Sequence, residues 1–228
     1  MTQIVTFSIV LLLAPFAGHT QETSVRKVEP FNSVSVSGPA DVKLVRGSVN
    51  SVKIESTGFS SSEVKTFVAG KNLRIHLGSP VLKTRAEVNI TITYVELNSI
   101  NCSGACNVFS SEPLQAETLE LQVNTASVIE VEVKCRSLNI DCATAGQVIV
   151  TGKSGELYID ASTSGMVDAN GLIANKVIVK ARTAAGVKVQ AMESLEADIS
   201  TASNLRYRGN PHKTNLQSST GGGIRKAD

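Results

Sequence analysis

Acidic and basic side chains recur at one fixed position of a sequence pattern that repeats through the chain. The pattern is a threonine four residues before an apolar residue, and successive copies are 19, 19, 20, 18 and 19 residues apart. The threonines are Thr125, Thr144, Thr163, Thr183, Thr201 and Thr220. The residues three positions before them are Gln122, Asp141, Asp160, Lys180, Asp198 and Gln217. Two carboxylates one repeat apart, followed by a lysine, could bind Ca²⁺ and act on an acidic polysaccharide.

The residues around each threonine predict the strands that would position this column. Six, four and two residues before the threonine the side chains are apolar or small, as in Leu138, Ile140 and Cys142. This alternation is typical of a strand with one buried face. A second short alternation follows each threonine, for example Val148 and Val150, after small residues that permit a sharp bend. The pattern therefore predicts strands and turns, with no helix between them.

A repeat of about 19 residues, built from short strands and tight turns, predicts a β-solenoid. The predicted fold class is all-β, a right-handed parallel β-helix; its handedness follows the general preference for right-handed crossovers. Coils stacked in parallel register would place equivalent residues roughly 4.8 Å apart. Asp141 and Asp160 would then be close enough to share one Ca²⁺, with Lys180 and Asp198 on the next rungs.

The same column has a second interpretation, because a solenoid needs polar side chains of mixed sign on its solvent face. We favour this interpretation, since the regular turns leave little chain for the loops that build an enzymatic cleft. Asp141, Asp160, Lys180 and Asp198 remain candidate ligand or calcium residues, with no firm metal site. No catalytic residue and no cofactor other than this possible Ca²⁺ is assigned.

The threonines themselves share the inward parity of the strands that precede them. We therefore predict a buried column of turn-stabilising hydrogen bonds. Their hydroxyl groups could bind ice or glycan only if they faced solvent.

Residues 21–228 are predicted to form a single β-solenoid domain. Regular repeats occupy residues 98–224, whereas an irregular part over residues 28–97 keeps the alternation in longer strands and hairpins. This irregular part is expected to cap one end of the stack and protect its open edge. The final phrase "TGGGIRKAD" is a polar unit suited to facing solvent.

Residues 1–20 are predicted to be a signal peptide. An apolar run from Phe7 to Leu13 precedes small and polar residues, and it is too short to span a bilayer. Cleavage is expected between Ala17 and Gln21. These features predict a secreted, periplasmic or cell-surface protein with no transmembrane span in the mature chain.

Four cysteines lie within one window of 41 residues, and secretion would permit disulfides between them. Cys102 and Cys142 share a position two repeats apart, roughly 9.6 Å by stacking, which is too far for a bridge. The candidate pairs are Cys102 with Cys106, across a turn, and Cys135 with Cys142. Buried free thiols are the equal alternative. Zinc is not predicted, because the sequence has no C-x-x-C pair with a nearby histidine.

Composition and charge exclude some function classes. The aromatic fraction is 4% and tryptophan is absent, which argues against a deep aromatic cleft for sugars. Nucleophilic catalysis is not supported, because the histidines are isolated and no G-x-S-x-G phrase occurs. The net charge is only +2, but basic residues gather in the last repeats: Arg206, Arg208, Lys213, Arg225 and Lys226. A solvated end face is the favoured interpretation over contact with anionic glycan, membrane or nucleic acid, and no nucleic-acid partner is predicted.

The phrase "VEPFNSVSVSGPADVKL" carries a more specific pattern, F-x-x-V-x-V-x-G-x-x-D-V, formed by Phe31, Val34, Gly38, Asp41 and Val42. Together with "NLRIHL", "VNITITYVELNSINCSGACNV" and the later repeats, it resembles the auto-transporter adhesin head domain called the GIN domain, which is common in secreted Bacteroidetes proteins. The resemblance runs from about Val28 to Gly223. It implies a β-helical surface or periplasmic domain and suggests adhesion, and it brings no catalytic residues to transfer. The chain departs from the usual pattern at Pro39-Ala40 and in its cysteines.

The function expected from the sequence is that of a secreted, non-enzymatic module of the cell envelope or surface, with an adhesive or structural role. A surface glycan or an envelope protein is the expected partner. The alternative is a calcium-dependent, lyase-like enzyme that acts on polysaccharide through the outward Asp/Lys column. The two differ in whether Asp160→Ala leaves binding intact or abolishes turnover.

Overall fold

The computed structural model describes residues 21–58, 60–78 and 87–227. Their strands form one 17-stranded sheet wound into a β-solenoid of about 7 turns, with 73% strand and parallel bridges about 19 residues apart. Within these ranges the helical structure is a single 3-10 turn, Ser61–Glu63. The predicted all-β parallel solenoid is confirmed. The predicted signal peptide lies outside the described residues.

Each regular coil turns sharply at the threonine, which we call the threonine corner, and presents one sheet surface before it and another after it. The strands of this regular part are β8 (Ser99–Ser103), β9 (Cys106–Ser110), β10 (Leu114–Asn124), β11 (Val128–Cys142), β12 (Gln147–Ser162), β13 (Met166–Arg182), β14 (Gly186–Ile199), β15 (Asn204–Arg208), β16 (Lys213–Ser218) and β17 (Gly223–Lys226). Strands β11 to β14 run from one corner to the next, so they are longer than the short strands predicted. Each of these strands bends in its middle without a break in strand structure. In β11 the bend lies at Ser137 and Leu138, where two consecutive residues are buried and the inward–outward alternation shifts by one residue.

The core consists of apolar columns that run along the stack. Leu138 lies between Leu119 and Leu157 in the parallel register, and all three side chains are fully buried. Beyond the corner, Ile129 and Val148 are likewise stacked and buried. The inward positions predicted from alternation are confirmed here. Each aliphatic side chain therefore packs on its equivalents in the coils above and below.

The threonine corner differs from the prediction. Thr144 and Thr163 are exposed, with φ angles of 52° and 49°, and each is followed by another residue of positive φ. The N–H group of Ala145 donates to the carbonyl oxygen of Thr163 in the next coil, at 3.0 Å, and this bond recurs from corner to corner. The prediction of inward threonines is wrong, because the alternation of a strand does not continue through two left-handed residues.

The N-terminal part supplies two coils and a cap. Its strands are β1 (Gln21–Lys27), β2 (Ser33–Ser37), β3 (Ala40–Arg46), β4 (Ser51–Thr57), β5 (Val64–Ala69), β6 (Asn72–Leu77) and β7 (Glu87–Tyr94). The coil of β2 and β3 pairs in parallel with β8 and β9 on one side and with β6 and β7 on the other. The second coil in sequence, formed by β6 and β7, is therefore the outermost of the three. The third coil, formed by β8 and β9, packs on the opposite side of the β2–β3 coil and continues the stack. Strands β5 and β6 form a predicted antiparallel hairpin, and β4 pairs antiparallel with the non-consecutive strand β7.

All four cysteines are free thiols in the structure. Cys102 and Cys106 are buried together across the β8–β9 turn, and the Cys102 thiol donates to the Cys106 carbonyl oxygen at 3.2 Å. The hydrogen bond between the two thiols is the largest cause that raises the pKa of Cys106, and burial is the second. Cys135 and Cys142 instead contact separate groups, the Ser154 hydroxyl and a backbone carbonyl. A disulfide stays a prediction, and these positions favour Cys102 with Cys106 over Cys135 with Cys142.

Candidate ligand-binding face

The predicted polar column is stacked in register on the outer surface of the sheet before the corner. Asp141 pairs with Asp160, Asp160 with Lys180, and Lys180 with Asp198 in successive parallel bridges. Asp160 is half-buried and the other three are exposed. The fold therefore brings the four candidate residues into one row. That they bind a ligand stays a prediction.

A second outward column runs beside the first, two residues earlier in each strand. In spatial order its members are Glu120, Asn139, Tyr158, Ile178 and Glu196. A surface cavity of about 570 Å³ is lined by these five residues together with Asp141, Asp160 and Lys180. We call this two-column surface the tyrosine face.

Tyr158 is the central feature of the tyrosine face. Its side chain is 39% exposed, and its hydroxyl lies 3.4 Å from a carboxylate oxygen of Glu156. Tyr158 and Ile178, one rung further along, also line a second cavity of about 290 Å³. The ring thus stands between two depressions, in an apolar strip bordered by carboxylates and an amide. Such a surface can stack on the C–H face of a sugar and accept hydrogen bonds from its hydroxyls.

The tyrosine face carries more negative than positive charge. Its carboxylates belong to Glu120, Asp141, Asp160 and Glu196. The cations are Lys180 and the neighbouring Arg182, whose guanidinium lies 3.1 Å from a carboxylate oxygen of Asp160. Partial burial, and then the charge of Asp160, raise the pKa of Asp141 above its usual range, although Arg182 opposes the shift. The repulsion between the two stacked carboxylates is therefore only partly relieved.

Replacing Asp141 with asparagine is expected to stabilise the fold slightly at neutral pH. The pKa of Asp141 is higher in the folded chain than its ordinary value of 3.8, so the protonated group favours folding. This contribution to the stability of the fold is fully present at pH values below 3.8 and is lost as the pH rises through the pKa of Asp141 in the folded chain. Asp141→Asn should raise Tm by about 1 °C at pH 7 and by almost nothing at about pH 3.

Thermal unfolding followed by circular dichroism at both pH values checks this expectation. Asp198→Asn is the matched control, because Asp198 stacks between Lys180 and Gln217 rather than against a carboxylate, and it should gain no stability. An equal gain for Asp141→Asn at both pH values would contradict the electrostatic cause.

The case for calcium rests on Asp141 and Asp160 alone. Among the residues that the structure describes, no group of three or more His, Cys, Asp or Glu side chains is placed to hold a metal ion. Asp160 is already engaged by Arg182. Calcium binding stays a prediction, and a calorimetric titration that gave no heat would reject it.

Tyr158 is not among the residues predicted from the sequence, because a low aromatic content argues against a deep aromatic cleft for sugars. A local signal was present. Tyr158 stands two residues before Asp160, at an outward position where neighbouring repeats have Asn139 or Glu120. Ile178 occupies the same position one repeat later. Two large apolar side chains at adjacent outward positions are an anomaly that points to a binding surface.

These features define the class of protein: a parallel β-solenoid whose exposed surface is a regular array of side chains, with shallow depressions in place of a deep cleft. The chain belongs to the family described as "Putative auto-transporter adhesin, head GIN domain", whose family model matches residues 30–211. The resemblance seen in the sequence is thereby confirmed.

Solved structures share the whole fold at low sequence identity. A protein from Bacteroides fragilis described as a "putative adhesin" is 19% identical, with a TM-score of 0.83 over 91% of this chain and 97% of its own. A "putative adhesin" from Parabacteroides merdae is 17% identical, with a TM-score of 0.69 over 93% of this chain and 98% of its own. A protein from Parabacteroides distasonis with the same identity, TM-score and coverage is described as a "putative lipid binding protein". At these identities the likeness shows the fold alone.

A search of curated proteins found no match. Within the described ranges, no helix has the length and apolar character needed to cross a bilayer.

Proposed function

We propose that the protein is a non-enzymatic surface adhesion module that binds glycan through the tyrosine face. The observation that carries the proposal is the exposed ring of Tyr158 beside the half-buried Ile178 on the next rung, both lining two cavities. Asn139, Asp141 and Asp160 border the pair and supply hydrogen-bond acceptors. The description of the family as adhesins supports the same role. The proposal requires the secreted or surface location predicted from residues 1–20.

The charge of the tyrosine face narrows the class of glycan. The carboxylates outnumber the cations, so an acidic polysaccharide would meet repulsion, whereas neutral or amino sugars would not. An open, shallow surface also leaves much of a bound ligand in water, which favours weak binding that becomes strong through many copies. The lyase-like alternative stays a prediction; it would require product formation from an acidic polysaccharide that Asp160→Ala abolishes.

A glycan array probed with the mature chain and with Tyr158→Ala tests the proposal. Wild-type protein is expected to bind a set of neutral or amino-sugar glycans, and Tyr158→Ala to weaken that binding about tenfold, the effect of losing one aromatic stacking partner. Phe109→Ala is the matched control, because Phe109 is an aromatic residue of similar exposure, 42%, on the surface beyond the corner. Its binding should equal that of wild type.

Two results would overturn the proposal. One is an array on which the wild-type chain binds no glycan. The other is equal binding by wild type and Tyr158→Ala, which would place any glycan site elsewhere on the solenoid.

A further inference from the structure

A second polar column lies on the opposite side of the threonine corner, in the last coils of the stack. In successive parallel bridges Asp168 pairs with Lys188, Lys188 with Arg206, and Arg206 with Arg225. Three cations therefore occupy successive rungs, roughly 4.8 Å apart. Arg208, two residues beyond Arg206 on the same outward face, adds a fourth. Of the basic residues near the C-terminal end of the sequence, Arg206 and Arg225 therefore lie in one row with Lys188.

Two of the cations in this line, Arg206 and Arg225, have no counter-ion among the described residues. Lys188 is paired with Asp168, with Nζ and Oδ2 2.8 Å apart. Neither Arg206 nor Arg225 forms an ion pair or a side-chain hydrogen bond with any residue in the described part of the chain. Like charges directly opposite one another in a sheet are destabilising. The fold therefore holds two guanidinium groups side by side at a cost that an anion would relieve.

A groove runs alongside these cations. It has a volume of about 520 Å³, and its lining includes Lys188, Arg206 and Arg225 together with Met166 and Asn204. Two glycines, Gly186 and Gly223, belong to the lining, and a neighbouring side chain packs closely on each of them. A Cβ atom at Gly186 would lie 2.7 Å from Met166 Sδ, and one at Gly223 would lie 2.7 Å from Asn204 Oδ1. Met166 and Asn204 therefore occupy the space that larger residues at the two glycine positions would need.

We propose that this groove, the cationic groove of Lys188, Arg206 and Arg225, binds an anionic polysaccharide. Sulfate or carboxylate groups spaced along the polymer would accept hydrogen bonds from guanidinium groups spaced along the stack. A linear array of cations beside a groove fits a linear polyanion.

Other polyanions fit the groove less well. No aromatic side chain lines it, so it lacks the stacking surface that single-stranded nucleic acid uses. The proposal does not depend on the tyrosine face, which lies on a different sheet surface and has the opposite charge.

Binding of dextran sulfate, measured by biolayer interferometry on the mature chain, tests the proposal. Wild type is expected to bind dextran sulfate or polygalacturonate and not neutral dextran, with an affinity that falls as salt increases. The double variant Arg206→Gln/Arg225→Gln is expected to lose about tenfold in affinity. The control Arg74→Gln/Arg136→Gln removes the same charge from exposed positions elsewhere and should bind nearly as wild type does.

Tyr158→Ala should also keep its affinity for dextran sulfate, which separates the failure of one site from the failure of the other. The proposal is overturned if wild type binds neither polyanion in about 50 mM salt, a condition in which electrostatic binding is strong. It is equally overturned if the two double variants lose affinity alike, because net charge alone would then explain the binding. Tighter binding to phosphatidylserine vesicles or to a thymidine oligonucleotide would assign the groove to another class of ligand.

Discussion

Replacement of Gly152 with alanine is expected to destabilise the protein by at least about 3 kcal/mol. Gly152 has a φ of +108°, and an added Cβ would overlap the carbonyl oxygen of Val133 in the neighbouring coil. The overlap is with backbone that belongs to the parallel ladder, so it cannot be relieved by rotating a side chain. Urea unfolding followed by circular dichroism measures the loss as a fall in the free energy of unfolding.

Gly70 offers the matched control for this prediction. Its φ is also positive, +58°, but a Cβ there would meet no atom within 4 Å. Gly70→Ala should therefore cost about 1 kcal/mol, the strain of the left-handed backbone alone. An equal loss in the free energy of unfolding for Gly152→Ala and Gly70→Ala would contradict the prediction, because contact with the neighbouring coil would then not restrict residue 152 to glycine.

Leu138→Ala is expected to cost about 3 kcal/mol, within the range found for leucine truncation in packed cores. Leu138 is fully buried between Leu119 and Leu157, and its strand is paired on both sides. The cavity cannot be filled by local collapse, because the coils on each side hold their spacing through backbone hydrogen bonds. Urea unfolding at a single pH gives the change in the free energy of unfolding.

Leu216 provides a comparison within the same fold. It pairs with Ala197 of β14, its strand β16 has no second partner strand among the described residues, and it is 37% exposed. Leu216→Ala should cost less than about 1 kcal/mol. A loss as large as that of Leu138→Ala would contradict the view that the final coil is a weakly packed cap.

The regular part of the fold could be predicted from the sequence because each coil repeats the same local pattern. The period set the register, and the register placed Asp141, Asp160 and Lys180 in one row without any knowledge of tertiary structure. Two-residue alternation identified Leu138 and its equivalents as core. Both signals are local in sequence, and stacking converts them directly into neighbours in space.

Other features could not be predicted in the same way. Parity assigned the threonines to the core, whereas the positive φ angles of Thr144 and Ala145 turn the corner outward. Those angles depend on hydrogen bonds to the next coil, which no single repeat specifies. The order of the N-terminal coils, with the β6–β7 coil at the end of the stack and the β2–β3 coil next to it, also could not be predicted. Pairing between strands far apart in sequence decides this order.

The functional surfaces lie between these two cases. The four acidic and basic candidates were found because they recur with the period. Tyr158 and Ile178 were not, since neither residue type recurs in the otherwise polar column that the two share. Their significance becomes visible when the strands stack and the two apolar side chains adjoin on one face. The cationic groove likewise becomes visible only when the strands stack, because stacking places Arg206 next to Arg225 beside the groove.

The most direct test of the central claim is amide chemical-shift mapping of the ¹⁵N-labelled mature chain during titration with a glycan selected on the array. Binding through the tyrosine face predicts that the largest shifts cluster on adjacent rungs at Asp141, Tyr158, Asp160 and Ile178, and that Tyr158→Ala greatly reduces them at the same glycan concentration. Shifts confined to the surface beyond the threonine corner, around Phe109 or Lys188, or shifts that persist unchanged in Tyr158→Ala, would contradict it.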